Sequence, residues 1–175
     1  TRASFEAGMA QLGGHAQFIE SRTTQIAHGD TAREIGEILG RYNDGIAIRN
    51  VDWGIGNAYI REVAEASRVP VLNMQCDIFH PHQILADLMT MIEKKGPLQK
   101  ARVAFLWGWR TANPPAGLTN STMLMAGKLG FELVVACPPG WPTRWERRFR
   151  SASGCCSSRR FPNRVSPPSS SSSSR

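Results

Sequence analysis

Three short segments of this 175-residue chain carry hydroxyl, guanidinium, imidazole and amide side chains that could do chemistry. Thr1-Arg2-Ala3-Ser4-Phe5-Glu6 opens an amphipathic stretch. It sets hydroxyls, a guanidinium and free backbone N–H groups at a helix N-terminus, where partial positive charge favours a phosphate. Arg49 follows a short apolar strand, and the planar fork of its side chain suits two oxygens at once. His80-Pro81-His82-Gln83 heads a longer amphipathic run. Taken singly, each group has a plainer reading: a helix start with Ser4 as its cap, a solvated charge at a strand end, a histidine at a helix start or on the surface. His82 keeps that plainer reading.

These residues must be held by alternating strands and helices. Phe5, Met9 and Leu12 recur at helical spacing before a short apolar strand at 16–19, and residues 20–29 form a polar loop. Asp30 is the expected N-cap of a helix whose face carries Ala32, Ile35, Ile38 and Leu39 and which ends near 40–43. A strand at 45–48, a turn at 54–56, a helix at 57–67 and a strand at 69–72 follow. A long helix over 80–95 carries Ile84, Leu85, Leu88, Met91 and Ile92 on one side, and Gly96 and Pro97 stop it. Then come a strand at 102–107, a Gly/Pro-rich loop at 109–118, a helix at 120–129 and a strand at 131–137. The βαβ order predicts a parallel sheet flanked by helices, with ligands bound beyond the carboxyl ends of the strands.

Charge gives a second boundary. The net +7 and a pI near 9.8 suggest a nucleic-acid partner. The excess lies in residues 142–175, with eight Arg and one Glu, leaving 13 basic and 13 acidic residues before them. That tail closes on six serines between Pro168 and Arg175, a composition that buries no core, so disorder is expected there, or an out-of-frame end. No apolar run approaches the ~18 residues of a membrane span, and a cytoplasmic protein is the expectation. Cys76, Cys137 and the adjacent Cys155 and Cys156 show neither zinc-site spacing nor a disulfide framework.

The opening Thr1–Glu6 segment resembles the end of the Ser-Thr-Arg-Thr-Arg-x-Ser-Phe-Glu signature of aspartate and ornithine carbamoyltransferases. In that alignment Thr1 is the second threonine and the leading Ser-Thr-Arg is absent. His80-Pro81-His82-Gln83, followed by Leu85-Ala86-Asp87 and Thr90, is similar to the family's His-Pro-x-Gln, Leu-Ala-Asp, Thr segment. Residues 39–46, Leu-Gly-Arg-Tyr-Asn-Asp-Gly-Ile, resemble the ornithine-type enzymes just ahead of Arg49, and Asp30-Thr31-Ala32-Arg33 resembles another of the family's helix starts.

The resemblance implies a chain shortened at both ends. It implies a carbamoyl-phosphate-binding domain over 1–95, the start of an amino-acid-binding α/β domain over 96–141, and the tail over 142–175. It implies that Thr1 and Arg49 hold phosphate, that Thr1, Arg49 and His80 stabilise the carbamoyl oxygen, and that Gln83 contacts the carbamoyl amino group. Gln25 and His28 occupy a loop that in the family reaches the neighbouring subunit's phosphate site, and a homotrimer is implied with it. The substrates would be carbamoyl phosphate and an amino acid such as ornithine, with no metal or organic cofactor.

The acceptor stays open. The family's Asp-x-x-x-Ser-Met-Gly and His-Cys-Leu-Pro segments do not occur, and residues 108–115, Gly-Trp-Arg-Thr-Ala-Asn-Pro-Pro, replace the ornithine-type loop. Met74-Gln75-Cys76-Asp77 ahead of His80 looks more like divergent paralogues, and Trp107 and Trp109 either line the acceptor pocket or simply pack. Aspartate is an alternative acceptor, a catalytically inactive fragment is a second reading, and a basic-tailed nucleic-acid-binding module is a third.

Overall fold

The structure, a computed structural model, describes residues 1–23, 25–106, 116–136 and 159–160. The chain divides into two compact units, Thr1–Asp77 and Ile78–Arg175. Each contains a parallel strand–helix–strand unit, so the α/β architecture with helices flanking parallel strands is as expected.

In the first unit, α1 (Arg2–Gln11) and two short 3-10 turns, Ser21–Thr23 and Gln25–His28, precede α2 (Ala32–Tyr42). Strand β1 (Ile46–Asn50) then pairs in parallel with β2 (Val71–Cys76) across α3 (Gly56–Ala66). Helix α2 packs on α3, and α3 on both strands. Ala32, Ile35, Ile46, Ile60, Val63 and Cys76 are the buried apolar side chains. Gly36 lets α2 lie against the end of α3. A Cβ on it would stand 2.5 Å from the Val63 carbonyl oxygen and 3.2 Å from the Ala66 Cβ, inside the contact that packed carbons accept.

Two expectations fail here. Residues 16–19 form no strand; they join neither sheet, and an unpaired strand leaves its N–H and C=O groups without a ladder. Phe18 instead gives its ring to the Arg2 guanidinium, 3.6 Å from the ring centroid. The N-cap of α2 is Thr31, not Asp30. Thr31 Oγ1 accepts from the Glu34 N–H (3.2 Å) while the Glu34 carboxylate accepts from the Thr31 N–H (2.8 Å). This reciprocal pair satisfies two donors, which Asp30 without an acidic residue three positions on does not.

In the second unit, α4 (Pro81–Lys95) runs into a 3-10 turn, Leu98–Lys100, and β3 (Arg102–Leu106) pairs in parallel with β4 (Glu132–Ala136) across α5 (Gly117–Leu129). Ile84 and Leu88 of α4 join Leu98, Met123, Ala126, Phe131, Leu133 and Val135 in one buried cluster. Leu85 and Ile92, expected on the same face, are half exposed, so the buried stripe of α4 is narrower than its apolar pattern. Helix α5 begins three residues before the expected start, with the Asn120 N–H already bonded to the Ala116 carbonyl (2.9 Å). Of the basic tail, Arg159–Arg160 forms β5, antiparallel to β4 at Val134 and Val135. The expectations for the rest of 142–175 and for the 107–115 loop lie outside the described residues. Among the described residues no helix is long and apolar enough to cross a membrane.

Candidate functional site

Thr1 and Arg49, 48 residues apart, are brought together in the first unit. Thr1 is the N-cap of α1 and makes no side-chain cap bond; its Oγ1 stands 3.4 Å from Arg49 Nη1. Ser4 is not the cap but lies inside the first turn, its hydroxyl donating to the Thr1 carbonyl (2.7 Å). Arg2 turns away, bonded to Glu6 (3.3 Å) and stacked on Phe18. The result is an exposed hydroxyl and an exposed guanidinium beside the first turn of α1, whose leading N–H groups have no intrahelical acceptor. That is a donor set for a phosphate-like anion.

Arg49 lies inside β1 rather than after it, and the register slips there: Ile48 faces Asn73 while Arg49 faces Gln75. The extra residue, Met74, makes a β-bulge, a device that re-aims a side chain near the end of a strand. Beyond it the chain is pinned by Asp77, which sequence reasoning did not single out. Its carboxylate, 6% exposed, accepts from the Gly54 N–H (3.1 Å) and the Asn57 N–H (2.8 Å), tying the turn after β1 and the first turn of α3 to the end of β2. Gly56 is required at this crossing, since a Cβ there would collide with the Asn50 carbonyl.

His80 and Gln83 sit together at the start of α4 in the second unit. His80, 8% exposed, is the N-cap, and its Nδ1 accepts from the Gln83 N–H (3.3 Å). An accepting Nδ1 puts the proton of a neutral ring on Nε2, so Nε2 is the donor nitrogen. The Gln83 amide gives its NH₂ to Asp87 Oδ1 (2.9 Å), which orients Oε1 as the acceptor. Two buried residues of α5 hold the backbone just before the ring: Ser121 Oγ accepts from the His80 N–H (2.8 Å), and Asn120 Nδ2 donates to the Ile78 carbonyl (2.9 Å). Gln25 and His28 lie on the 3-10 turn before α2, with His28 exposed. No cluster of His, Cys, Asp and Glu among the described residues has the geometry to hold a metal.

A family model described as the carbamoyl-P binding domain of aspartate/ornithine carbamoyltransferase matches residues 1–93, more than half of the chain. The chain belongs to the aspartate/ornithine carbamoyltransferase family. It is 38% identical over 141 residues to an ornithine carbamoyltransferase of Desulfotalea psychrophila, a match covering 81% of this chain and 43% of that protein. The solved ornithine carbamoyltransferase of Pyrococcus furiosus superposes with a TM-score of 0.72 at 34% identity, over 84% of this chain and 44% of that one. A solved N-acetyl-L-ornithine transcarbamylase gives 0.66 at 31% identity, over 79% and 47%. The chain spans about half the length of the curated carbamoyltransferases it matches. The match to the family's carbamoyl-P binding domain includes Thr1, Gln25, His28, Arg49, His80 and Gln83, and it ends before Asn120 and Ser121.

Proposed function

We propose that this chain belongs to a transferase that moves the carbamoyl group of carbamoyl phosphate to the amine of an amino acid, ornithine first among them. The observation that carries the reading is the family match over 1–93, because every proposed substrate contact falls within it. The amine nitrogen attacks the carbonyl carbon, the bond from that carbon to the phosphate oxygen breaks, and the amine's surplus proton passes to phosphate or solvent. Negative charge grows on the carbonyl oxygen and on the departing phosphate, so donors fixed in advance lower the barrier.

Thr1 and Arg49 take the phosphate and, with His80, the carbonyl oxygen. The local geometry supports those roles: an Arg49 Nη1 and a Thr1 hydroxyl 3.4 Å apart, and a His80 tautomer with its proton on Nε2. Gln83 accepts from the carbamoyl NH₂ through Oε1. Residues 1–95 act as the carbamoyl-phosphate-binding domain and 96–141 begin the acceptor domain. The protein works in the cytoplasm as a homotrimer, Gln25 and His28 serving the neighbouring subunit's site, with no nucleic-acid partner.

A second reading differs only in the acceptor. The 108–115 loop departs from the ornithine pattern, which favours another amine acceptor such as aspartate.

Calorimetric titration of carbamoyl phosphate into the full chain and into Arg49→Ala tests the transferase reading. Saturable binding that weakens about tenfold to a hundredfold in the variant is expected, the worth of a charge-assisted pair. Equal affinity in both, or no binding by folded protein, removes the proposed role.

A further inference from the structure

We propose that Ser121 and Asn120 are positioning residues for His80, taking over at α4 a capping duty that would otherwise occupy Gln83. The inference rests on the reading of His80 and Gln83 as carbamoyl contacts.

Helix α2 shows the ordinary solution to an N-cap: the third helical residue, Glu34, reaches back to the N–H of the cap residue Thr31. In α4 the corresponding residue is Gln83, three positions after the cap His80. Its NH₂ instead donates forward to Asp87, and an amide that accepted the His80 N–H would have its Oε1 spent on the backbone. The His80 N–H goes to Ser121 Oγ at 2.8 Å. The duty is thereby moved from the side chain that meets substrate to one that does not.

The two α5 side chains are otherwise poorly suited to their surroundings. Ser121 is 3% exposed and Asn120 1%, on a helix that also supplies Met123 and Ala126 to the apolar cluster. A buried amide or hydroxyl is unfavourable unless hydrogen-bonded. Asn120 Oδ1 has no hydrogen-bond partner among the described residues, so only the other end of the amide repays its burial. What Asn120 gains is the bond from Nδ2 to the Ile78 carbonyl (2.9 Å). Together the pair fixes both ends of the three-residue segment 78–80. His80 is held there at φ −134° and ψ 72°, and its Nδ1 faces the Gln83 N–H.

The test compares the full chain with Ser121→Ala and Ser121→Thr, reading the His80 ring nitrogens by NMR, exchange of the His80 amide, and carbamoyl phosphate affinity by calorimetry. The unsubstituted chain is expected to show a protected His80 amide and a proton on Nε2. Ser121→Ala should speed that amide's exchange, mix the tautomers and weaken binding about tenfold, the worth of one buried hydrogen bond. Ser121→Thr should restore all three. Unchanged ring nitrogens and affinity in folded Ser121→Ala overturn the proposal. If that variant does not fold, the unsubstituted chain decides: a His80 amide exchanging as fast as an open N-cap overturns it equally. An unsubstituted chain that shows the expected ring and amide but binds no carbamoyl phosphate overturns the transferase reading, while the Ser121→Ala ring nitrogens still decide the positioning.

Discussion

The two units reach the same strand–helix–strand plan by different means. The second is closed by bulk: Ile84, Leu88, Leu98, Met123, Phe131, Leu133 and Val135 meet in one buried cluster. The first has smaller buried side chains and relies on close backbone approach at Gly36 and Gly56 and on a buried carboxylate that collects two backbone N–H groups. Apolar burial is non-directional and scales with area. Hydrogen bonds and close crossings fix direction to a few tenths of an ångström. In the first unit that directional precision is built beside Arg49, where Gly56 crosses Asn50 and Asp77 holds the turn that follows β1.

Loss of volume should accordingly be felt most in the second unit. Phe131 is 1% exposed and sits within that cluster. Phe131→Ala removes most of the ring's transfer free energy and leaves a cavity, an expected loss of about 3 to 5 kcal/mol. A volume-conserving change, Leu133→Met, should cost less than about 1.5 kcal/mol. Urea denaturation of both variants measures the gap. Equal effects would mean that the cluster collapses around the void and that bulk is not what closes this unit.

The first unit should instead respond to loss of a directional contact. Asp77→Ala removes little apolar surface but strands the Gly54 and Asn57 N–H groups. The expected cost is about 2 to 3 kcal/mol. Amide exchange at Gly54 and Asn57 should accelerate far more than in β1, because the clamp acts on the turn and the first turn of α3. Uniform acceleration across the unit would make Asp77 a general core residue.

The same contrast explains what could be read in the sequence. Helices α2, α3 and α4 and strands β3 and β4 follow from apolar periodicity, a local property. Arg49, His80 and Gln83 stand out because their types recur in short motifs. The bulge at Arg49, the Asp77 clamp and the Ser121–His80 bond were not legible: they join residues 23, 20 and 41 positions apart or turn on a one-residue slip of register. No local pattern encodes such pairings. The missing strand at 16–19 has the same cause, since a strand is decided by its partner. The N-cap of α2 was a nearer miss; Asp30 and Thr31 are both good cap types, and Glu34, three residues after Thr31, decides between them.

That cap supplies the smallest of these effects and the one most sensitive to pH. The Glu34 carboxyl is held below its usual 4.5, first by the Thr31 N–H and then by the Thr31 hydroxyl, both of which donate to it. A carboxylate with a depressed folded-state value stabilises the fold above its unfolded value, and that contribution is lost as pH falls through the folded one. Thr31→Ala removes the hydroxyl that accepts from the Glu34 N–H and should cost about 1 kcal/mol near neutrality, the ordinary worth of a helix cap. Glu34→Gln, which cannot ionise, should flatten the acid limb: its stability relative to the unsubstituted chain rises as pH drops below 4.5. Thermal melts of the three proteins between neutrality and acid check both claims. If Glu34→Gln and the unsubstituted chain kept a constant gap across that range, the capping carboxylate would contribute no pH dependence, and the bond to the Thr31 N–H would count as geometry without energetic weight.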